Sequence, residues 1–217
     1  MSFGPSGSVR LVELADAMVR RRMVRHFDDR PVPPEVLNSV LRATTQAPSA
    51  GFAQGVDLLA LTTYERRNVF WELASQQHWR EAGTDAPGIL AAPVIVVPVI
   101  DADAYVSRYA KKDKATSDLA GLSSEEWEVP YWTVDAAFAV MLMLLVATEH
   151  GLGALFFRLH ADQDSVLSGL GVPMGRSTIG ALALGFEAKP ATAFHSTGLA
   201  RLRNRRTVAK TVHLNFW

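Results

Sequence analysis

The chain contains no cysteine, which excludes disulfide bonds, thiolate metal sites and cysteine nucleophiles together. This absence agrees with a reducing compartment, and we therefore expect a cytoplasmic protein. The chain also lacks an excess charge of either sign, because 22 basic residues balance 22 acidic ones. A neutral chain is not built to hold nucleic acid or a membrane surface as its main ligand.

Long apolar runs are missing as well. The longest, residues 136–147, is too short to span a bilayer, and Asp135 precedes it directly. Residues 1–8 are rich in glycine, serine and proline without an apolar centre, which predicts a flexible tail rather than a signal peptide. No internal repeat or linker interrupts residues 9–217, so we expect a single α+β domain there.

Several common catalytic motifs are absent from the sequence. The Gly151-Leu152-Gly153 stretch follows a predicted helix and has Phe156 where a dinucleotide fingerprint needs its third glycine. The six histidines form no short metal-ligand pair, and there is no Gly-x-Ser-x-Gly elbow. We therefore expect no metal site and no serine hydrolase.

Apolar periodicity and breaker residues define the remaining elements. They predict helices over residues 9–22, 64–81, 131–150 and about 162–170, and strands over 56–62, 93–100, 154–159 and 178–186. A further helix is predicted to open at the prolines of residues 31–34 and to run through residues 36–41. Pro98 cannot donate a ladder hydrogen bond, so it should lie at the end or on an open side of its strand. Residues 101–130 are polar and irregular, and they could act as a lid.

The helix over 131–150 is apolar on nearly every side. A helix without a polar face must be surrounded by protein. In a chain of this length, a central position together with a subunit interface would cover it. The pattern therefore favours a homodimer.

Two arginine clusters, residues 20–25 and 201–206, concentrate positive charge near opposite ends of the chain. Guanidinium groups bind phosphate oxygens in bidentate fashion, so an anion reached by both clusters is one interpretation. The alternative is two solvated basic helix ends. Residues 47–54, a loop of small residues, suggest a place where backbone approaches a flat ligand, although a plain connection between a helix and a strand would look similar.

Together these segments resemble the FMN-dependent nitroreductase-like flavoproteins. The resemblance rests on residues 21–27, 31–33, 47–49 with Gln54, 135–145 leading into 151–153, and Arg205-Arg206 with Val212-His213 and Trp217. It implies an α+β fold with a central, mostly antiparallel sheet flanked by helices, and an intertwined homodimer with FMN at the interface. It also implies NADH or NADPH as electron donor and a small-molecule electron acceptor.

The resemblance assigns the site residues by position. It implies a phosphate site of Arg21, Arg203 and Arg205, with Arg22, Met23 and Arg25 along the ribityl chain and ring edge. It implies that Pro48, Ser49 and Ala50 line the flavin from the partner subunit, with Gln54 near the polar edge of the ring. Backbone groups around Phe156, Phe157 and Arg158 would lie near the reactive nitrogen of the ring. Separately, Trp127, Tyr131 and Trp132 could border a substrate pocket, or equally belong to the core. No catalytic side chain is expected, because the flavin carries the chemistry.

Several positions depart from the family pattern, among them Gly55-Val56, where many relatives have Pro-Trp, and Phe157-Arg158-Leu159, which replaces a segment often richer in glycine. Many relatives have serine where Met23 stands and asparagine where Phe52 stands, so polar flavin contacts are lost. The main prediction is reduction of nitroaromatics, quinones or similar acceptors by a ping-pong mechanism. The alternatives are a flavin-fragmenting enzyme that forms dimethylbenzimidazole, and a flavin-binding protein without turnover. The fragmenting branch has an acidic residue at the position of Met23, and a thioether cannot relay protons.

Overall fold

The computed structural model describes residues 13–81, 87–188 and 205–215. The predicted tail, residues 1–8, lies outside these ranges, as do Arg203 and the start of the first predicted helix. The described helices are α1 (Leu14–Arg20), α2 (Pro34–Arg42), α3 (Tyr64–Ala74), α4 (Gln77–Glu81), α5 (Pro87–Leu90), α6 (Ala102–Tyr109), α7 (Tyr131–Glu149) and α8 (Gln163–Gly169).

One four-stranded sheet forms the centre of the fold. Its strands are β1 (Val56–Leu61), β2 (Val94–Ile100), β3 (Gly153–Phe157) and β4 (Ala181–Gly185). They lie in the order β1-β2-β4-β3, and each neighbouring pair is antiparallel. The predicted α+β class with an antiparallel sheet is confirmed.

The two faces of the sheet support separate apolar cores, because successive side chains of a strand point to opposite faces. On β2, Ile95 and Val97 belong to the core that includes Phe70 of α3 and Val166 of α8. Val94 and Val96 belong to the other core, which contains residues of α2 and α7 such as Met143. Every residue of β2 and β4 is buried, as expected of strands covered on both faces.

Pro98 lies at a gap in the ladder, as its chemistry requires. The N–H of Ile100 donates to the carbonyl oxygen of Ser177, on the β4 side of β2. Alternation along the strand places the nitrogen of Pro98 on that same side. Regular pairing of β2 with β4 ends at Val96, so the missing donor of Pro98 falls where no ladder bond is needed. The prediction for Pro98 is confirmed.

Two predicted segments differ from the structure. The helix expected over 64–81 ends at Ala74 and a second begins at Gln77, because Ser75 is extended and Arg80 donates hydrogen bonds to the carbonyl oxygens of Trp71 and Ser75. The segment 101–130, expected to be irregular, begins with α6. Asp101 caps that helix by accepting a hydrogen bond from the N–H of Ala104 at 3.3 Å.

The helix α7 confirms the predicted long apolar element. The expectation of no membrane-length segment considered residues 136–147 alone; the whole helix, Tyr131–Glu149, is long and apolar enough to cross a bilayer by length and composition. It packs on the sheet, with Ala136, Val140 and Met143 among its buried residues. Phe138 and Met141 remain 45% and 41% exposed in the single chain. The helix α7 therefore has a second apolar face, which is exposed, beside the face that packs on the core.

Residues 23–28 run along the sheet next to β3. Met23 forms a parallel bridge with Ala154, and the N–H of Val24 donates to the carbonyl oxygen of Ala154 at 2.9 Å. Further along, Phe27 forms an antiparallel bridge with Glu187. The arginine-rich segment is thus fixed to the sheet by backbone hydrogen bonds.

Candidate functional site

A cavity of about 630 Å³, here called the main cavity, opens where the C-terminal end of α3 meets the end of β3. Its volume falls within the usual range of small-molecule sites. The residues that line it come from four separate parts of the chain: Arg25, Trp71, Ala74, Ser75, Gln76, Ile89, Leu155, Phe157, Arg158 and His160.

Two aromatic side chains that line the main cavity pack on each other. The rings of Trp71 and Phe157 are stacked, with centroids 5.6 Å apart and an angle of 14° between their planes. Trp71 is buried and Phe157 is half-buried, and Phe70 meets Trp71 edge to face at 4.9 Å. This stacked pair, which we call the aromatic wall, contributes apolar aromatic surface to the main cavity.

Positive charge accompanies the aromatic wall. Arg25 and Arg158 line the main cavity, and both side chains belong to exposed residues. Arg25 follows the segment bonded to β3, and Arg158 follows the last residue of β3. Strand pairing therefore brings together two guanidinium groups that are distant in sequence.

Arg22 lines a different cavity, of about 300 Å³, which also contains Arg20, Thr148 and Glu187. Its guanidinium forms an ion pair with the carboxylate of Glu187. Arg21 is half-buried at the end of α1, and its N–H donates to the carbonyl oxygen of Ala17. Arg205 is exposed, and Arg203 lies outside the described residues.

The small-residue loop contributes to a third cavity, of about 250 Å³, which we call the loop cavity. Pro48, Ser49 and Gln54 line it, together with Tyr105 and Asp135. The loop cavity and the main cavity have no lining residue in common. Within one chain, the loop residues and Arg25 therefore belong to separate sites.

A carboxylate within the apolar helix α7 fixes this loop. Asp135 is buried, and its Oδ2 accepts hydrogen bonds from the N–H of Ala50 at 2.8 Å and from the hydroxyl of Tyr105 at 2.7 Å. Burial, followed by the hydrogen bond to Asp135, raises the pKa of Tyr105, so its hydroxyl remains a donor at physiological pH.

The three aromatic residues proposed for a substrate pocket contact one another. The ring centroid of Trp127 lies 6.2 Å from that of Tyr131 and 5.5 Å from that of Trp132. Tyr109 packs edge to face on Trp127 at 5.0 Å. Trp127 is buried whereas Tyr131 is exposed, so the cluster joins the segment 101–130 to the start of α7.

The sequence-predicted residues are thus only partly assembled in one chain. Arg25, Phe157 and Arg158 share the main cavity, whereas the half-buried Phe156 packs on the opposite core and Met23 contacts both cores. The sequence reasoning missed Trp71 and Tyr105. A single carboxylate, Asp135, at the start of an otherwise apolar helical run was the signal that could have pointed to the loop contact.

Comparison with known proteins decides the family. The model of the nitroreductase family matches residues 18–186, which is most of the chain and includes the whole sheet. The chain belongs to the nitroreductase family. This confirms the predicted family and, with it, the assignment to an oxidoreductase class.

Individual relatives of this nitroreductase-family chain are distant. An NADH dehydrogenase of Thermus thermophilus is 24% identical over 207 residues, covering 88% of this chain and 95% of the relative. Nitroreductase A from Vibrio parahaemolyticus superposes with a TM-score of 0.68 at 21% identity, covering 95% of this chain and 77% of its own. The NADPH:FMN oxidoreductase from Vibrio harveyi, complexed with NAD+, gives 0.67 at 20% identity, covering 94% and 77%. These structural matches confirm the fold.

Proposed function

We propose that the chain is an FMN-dependent oxidoreductase that uses NADH or NADPH to reduce small electron-poor acceptors, such as nitroaromatics or quinones, in two alternating half-reactions. The observation that carries the proposal is the main cavity, in which the aromatic wall and two guanidinium groups occur together within a nitroreductase-family domain. The relatives named for NADH dehydrogenase and NADPH:FMN oxidoreductase activity support it.

The residues of the main cavity fit the flat part of a flavin. The stacked rings of Trp71 and Phe157 offer an apolar surface, and the cavity volume of about 630 Å³ is ample for a tricyclic ring. Arg25 and Arg158 would lie at the polar edge, where fixed positive charge stabilises electron density arriving on the ring. His160 and Gln76 supply further polar atoms at the opening.

For the phosphate we propose Arg21, Arg203 and Arg205. A phosphate monoester carries nearly two negative charges at neutral pH, so several guanidinium groups are a suitable complement. Arg22 is already paired with Glu187, which favours a place beside the uncharged ribityl chain rather than at the phosphate. Met23, the next residue, packs on the core and would contribute an apolar contact beside the ribityl chain.

When bound, the flavin would accept a hydride from the nicotinamide and pass electrons to the second substrate. The side chains of the chain bind and orient the two substrates in turn. We propose that both substrates approach the flavin from the main cavity, so that the oxidised nicotinamide would leave before the acceptor enters. This shared use of one cavity is the physical reason for expecting a ping-pong mechanism.

We further propose a homodimer in which the 48–54 loop completes the site of the partner subunit. In one chain this loop lies in the loop cavity, apart from Arg25 and the aromatic wall. The apolar face of α7 that carries Phe138 and Met141 is exposed, and burial against a second copy would remove it from water. Both observations support an interface along α7.

A spectroscopic titration tests the proposed function. The purified chain is loaded with FMN, made anaerobic, and mixed with NADH or NADPH while the blue absorbance band of oxidised flavin is followed. We expect bleaching by at least one nicotinamide and recovery of the band when a quinone or nitroaromatic is added. Bound FMN that bleaches on photoreduction but with neither nicotinamide would contradict the proposal and indicate a flavin carrier.

A further inference from the structure

The 48–54 loop has a backbone that its sequence alone would not adopt. Gly51, Phe52 and Gln54 have φ values of 60°, 60° and 54°, all in the left-handed region. Only glycine enters that region readily, so Phe52 and Gln54 are held there against their own preference. Such a conformation persists only where surrounding contacts enforce it.

Asp135 and Tyr105 provide the first of these contacts. The Oδ2 atom of Asp135 accepts from the N–H of Ala50 and from the hydroxyl of Tyr105, and the two donors converge on one buried oxygen. The bond to the Tyr105 hydroxyl is buried and the bond to the Ala50 N–H is partly buried, so breaking either one costs more than breaking an exposed bond would.

Arg108 provides the second contact, from the next turn of α6. Its Nε–H donates to the carbonyl oxygen of Gly51 at 2.7 Å. Its two remaining nitrogens donate to the carboxylate oxygens of Asp113, at 3.0 and 2.6 Å. The guanidinium is therefore oriented on both sides, and its bond to the loop is directed.

Close packing on α6 completes the arrangement. A Cβ atom at Gly51 would lie 2.7 Å from the ring of Tyr109, and one at Gly55 would lie 2.5 Å from the ring of Tyr105. The N–H of Asp101 donates to the carbonyl oxygen of Gly55 at 2.9 Å. The middle of the loop and the residue that follows it thus both pack against α6, and a Cβ atom at either glycine would clash with a tyrosine ring.

We propose that Asp135, Tyr105 and Arg108 are positioning residues, together called the loop clamp, that hold the 48–54 loop in its strained conformation before any ligand binds. This inference rests on the proposed function. In it, the loop clamp determines the affinity for FMN and the KM for the acceptor. The conformational entropy of the loop is then lost when the chain folds, so this loss does not weaken ligand binding.

Hydrogen exchange on the full chain, without flavin, tests the loop clamp directly. In Tyr105→Phe and in Arg108→Ala, we expect the amides of residues 50–54 to exchange about tenfold faster than in the parent chain. The exchange rates of the β2 amides should be unchanged. Tyr64→Phe, the same chemical change at a residue that is 67% exposed, serves as the matched control and should match the parent.

A second pair of variants separates the loop clamp from general core packing. Asp135→Asn keeps an oxygen that can accept from Ala50, whereas Asp135→Ala removes it. We expect Asn to retain much of the loop protection and FMN affinity that Ala loses, with the FMN dissociation constant of Asp135→Ala raised about tenfold or more. Unchanged exchange at 50–54 in all variants, or equal acceleration throughout the chain, would overturn the proposal.

The two proposals fail in different ways. If the parent chain binds no FMN, the proposed function is wrong, while the exchange experiment still reports on the loop clamp. If the parent binds FMN and Tyr105→Phe and Arg108→Ala loosen the loop without altering FMN affinity or the KM for the acceptor, the role inferred for the loop clamp is wrong and the flavin function stands.

Discussion

The rings of Trp71 and Phe157 stack at 5.6 Å although the two residues come from α3 and from the end of β3. One ring is buried and the other is half-exposed to the main cavity. The pair therefore joins the core below the sheet to the place proposed for the flavin ring. A change in either ring should affect both stability and flavin binding.

Phe157→Leu removes the aromatic pair and keeps an apolar side chain. We expect a loss of about 1 kcal/mol in the free energy of unfolding, the usual value of such a pair beyond its area. FMN should also bind more weakly, because the flat surface is lost. Urea unfolding and a fluorescence titration with FMN measure the two effects. Tyr64→Leu, at an exposed position on α3, should change neither quantity.

Arg205→Ala tests the proposed phosphate site. Removing a hydrogen bond to a charged group costs about 1.5–3 kcal/mol, so the FMN dissociation constant should rise roughly 10- to 150-fold. Riboflavin, which lacks the phosphate, should bind parent and variant equally. Lys210→Ala removes a cation from the same exposed segment and is the matched control. An unaffected FMN dissociation constant in Arg205→Ala would show that this segment is a solvated tail.

Met141→Glu tests the proposed interface along α7. A carboxylate in a desolvated apolar interface is costly, so we expect the homodimer to dissociate and FMN binding to be lost with it. Light scattering after gel filtration measures the mass directly. Met174→Glu introduces the same charge at a residue that is 94% exposed and should leave the assembly intact. A parent chain that is already monomeric would refute the interface.

Gly51→Ala and Gly121→Ala form a matched pair. Both glycines have left-handed φ values, 60° and 78°, so both variants incur a backbone cost of about 1–2 kcal/mol. Only at Gly51 would the new methyl group meet a neighbour, the ring of Tyr109 at 2.7 Å. Gly51→Ala should therefore be the more destabilised in urea and should bind FMN less tightly. Equal effects in the two variants would mean that the Tyr109 ring moves aside freely.

The decrease in the free energy of unfolding at alkaline pH should depend on the hydroxyl of Tyr105. Burial and the hydrogen bond to Asp135 raise its pKa above the ordinary value of 10.0, so the unfolded chain releases this proton at a lower pH than the native chain does. The stability from the neutral hydroxyl is present below about pH 10 and is lost as the pH rises further. Urea unfolding from about pH 9 to 11 should show a shallower decline for Tyr105→Phe than for the parent. Tyr64→Phe should follow the parent curve.

Local patterns were sufficient for the elements whose burial is uniform. The apolar run of β2 and the all-round apolar surface of α7 predicted both elements because each is defined by its own residues. The break after Ala74 was not predictable in this way. It depends on Arg80 reaching back to two carbonyl oxygens, a contact that exists only once the second helix is in place.

The candidate site likewise contains some features that local sequence predicts and others that depend on contacts between distant residues. The arginine clusters and the small-residue loop can be identified from local composition, and the family resemblance assigns each of them a role in the site. The main cavity could not be read from spacing, because Trp71 and Phe157 meet only through the pairing of β3 with β4 and the packing of α3 below it. Asp135 is visible as a lone carboxylate, but its two partners are 30 and 85 residues away.

The bridge between Phe27 and Glu187 has a consequence for synthesis of the chain. Residues 23–28 are synthesised more than a hundred residues before their partners on β3 and beyond β4. Contacts so distant in sequence form slowly. The sheet therefore cannot be completed until β3 and β4 have been synthesised, and the apolar strand β2 lacks its β4 neighbour until then.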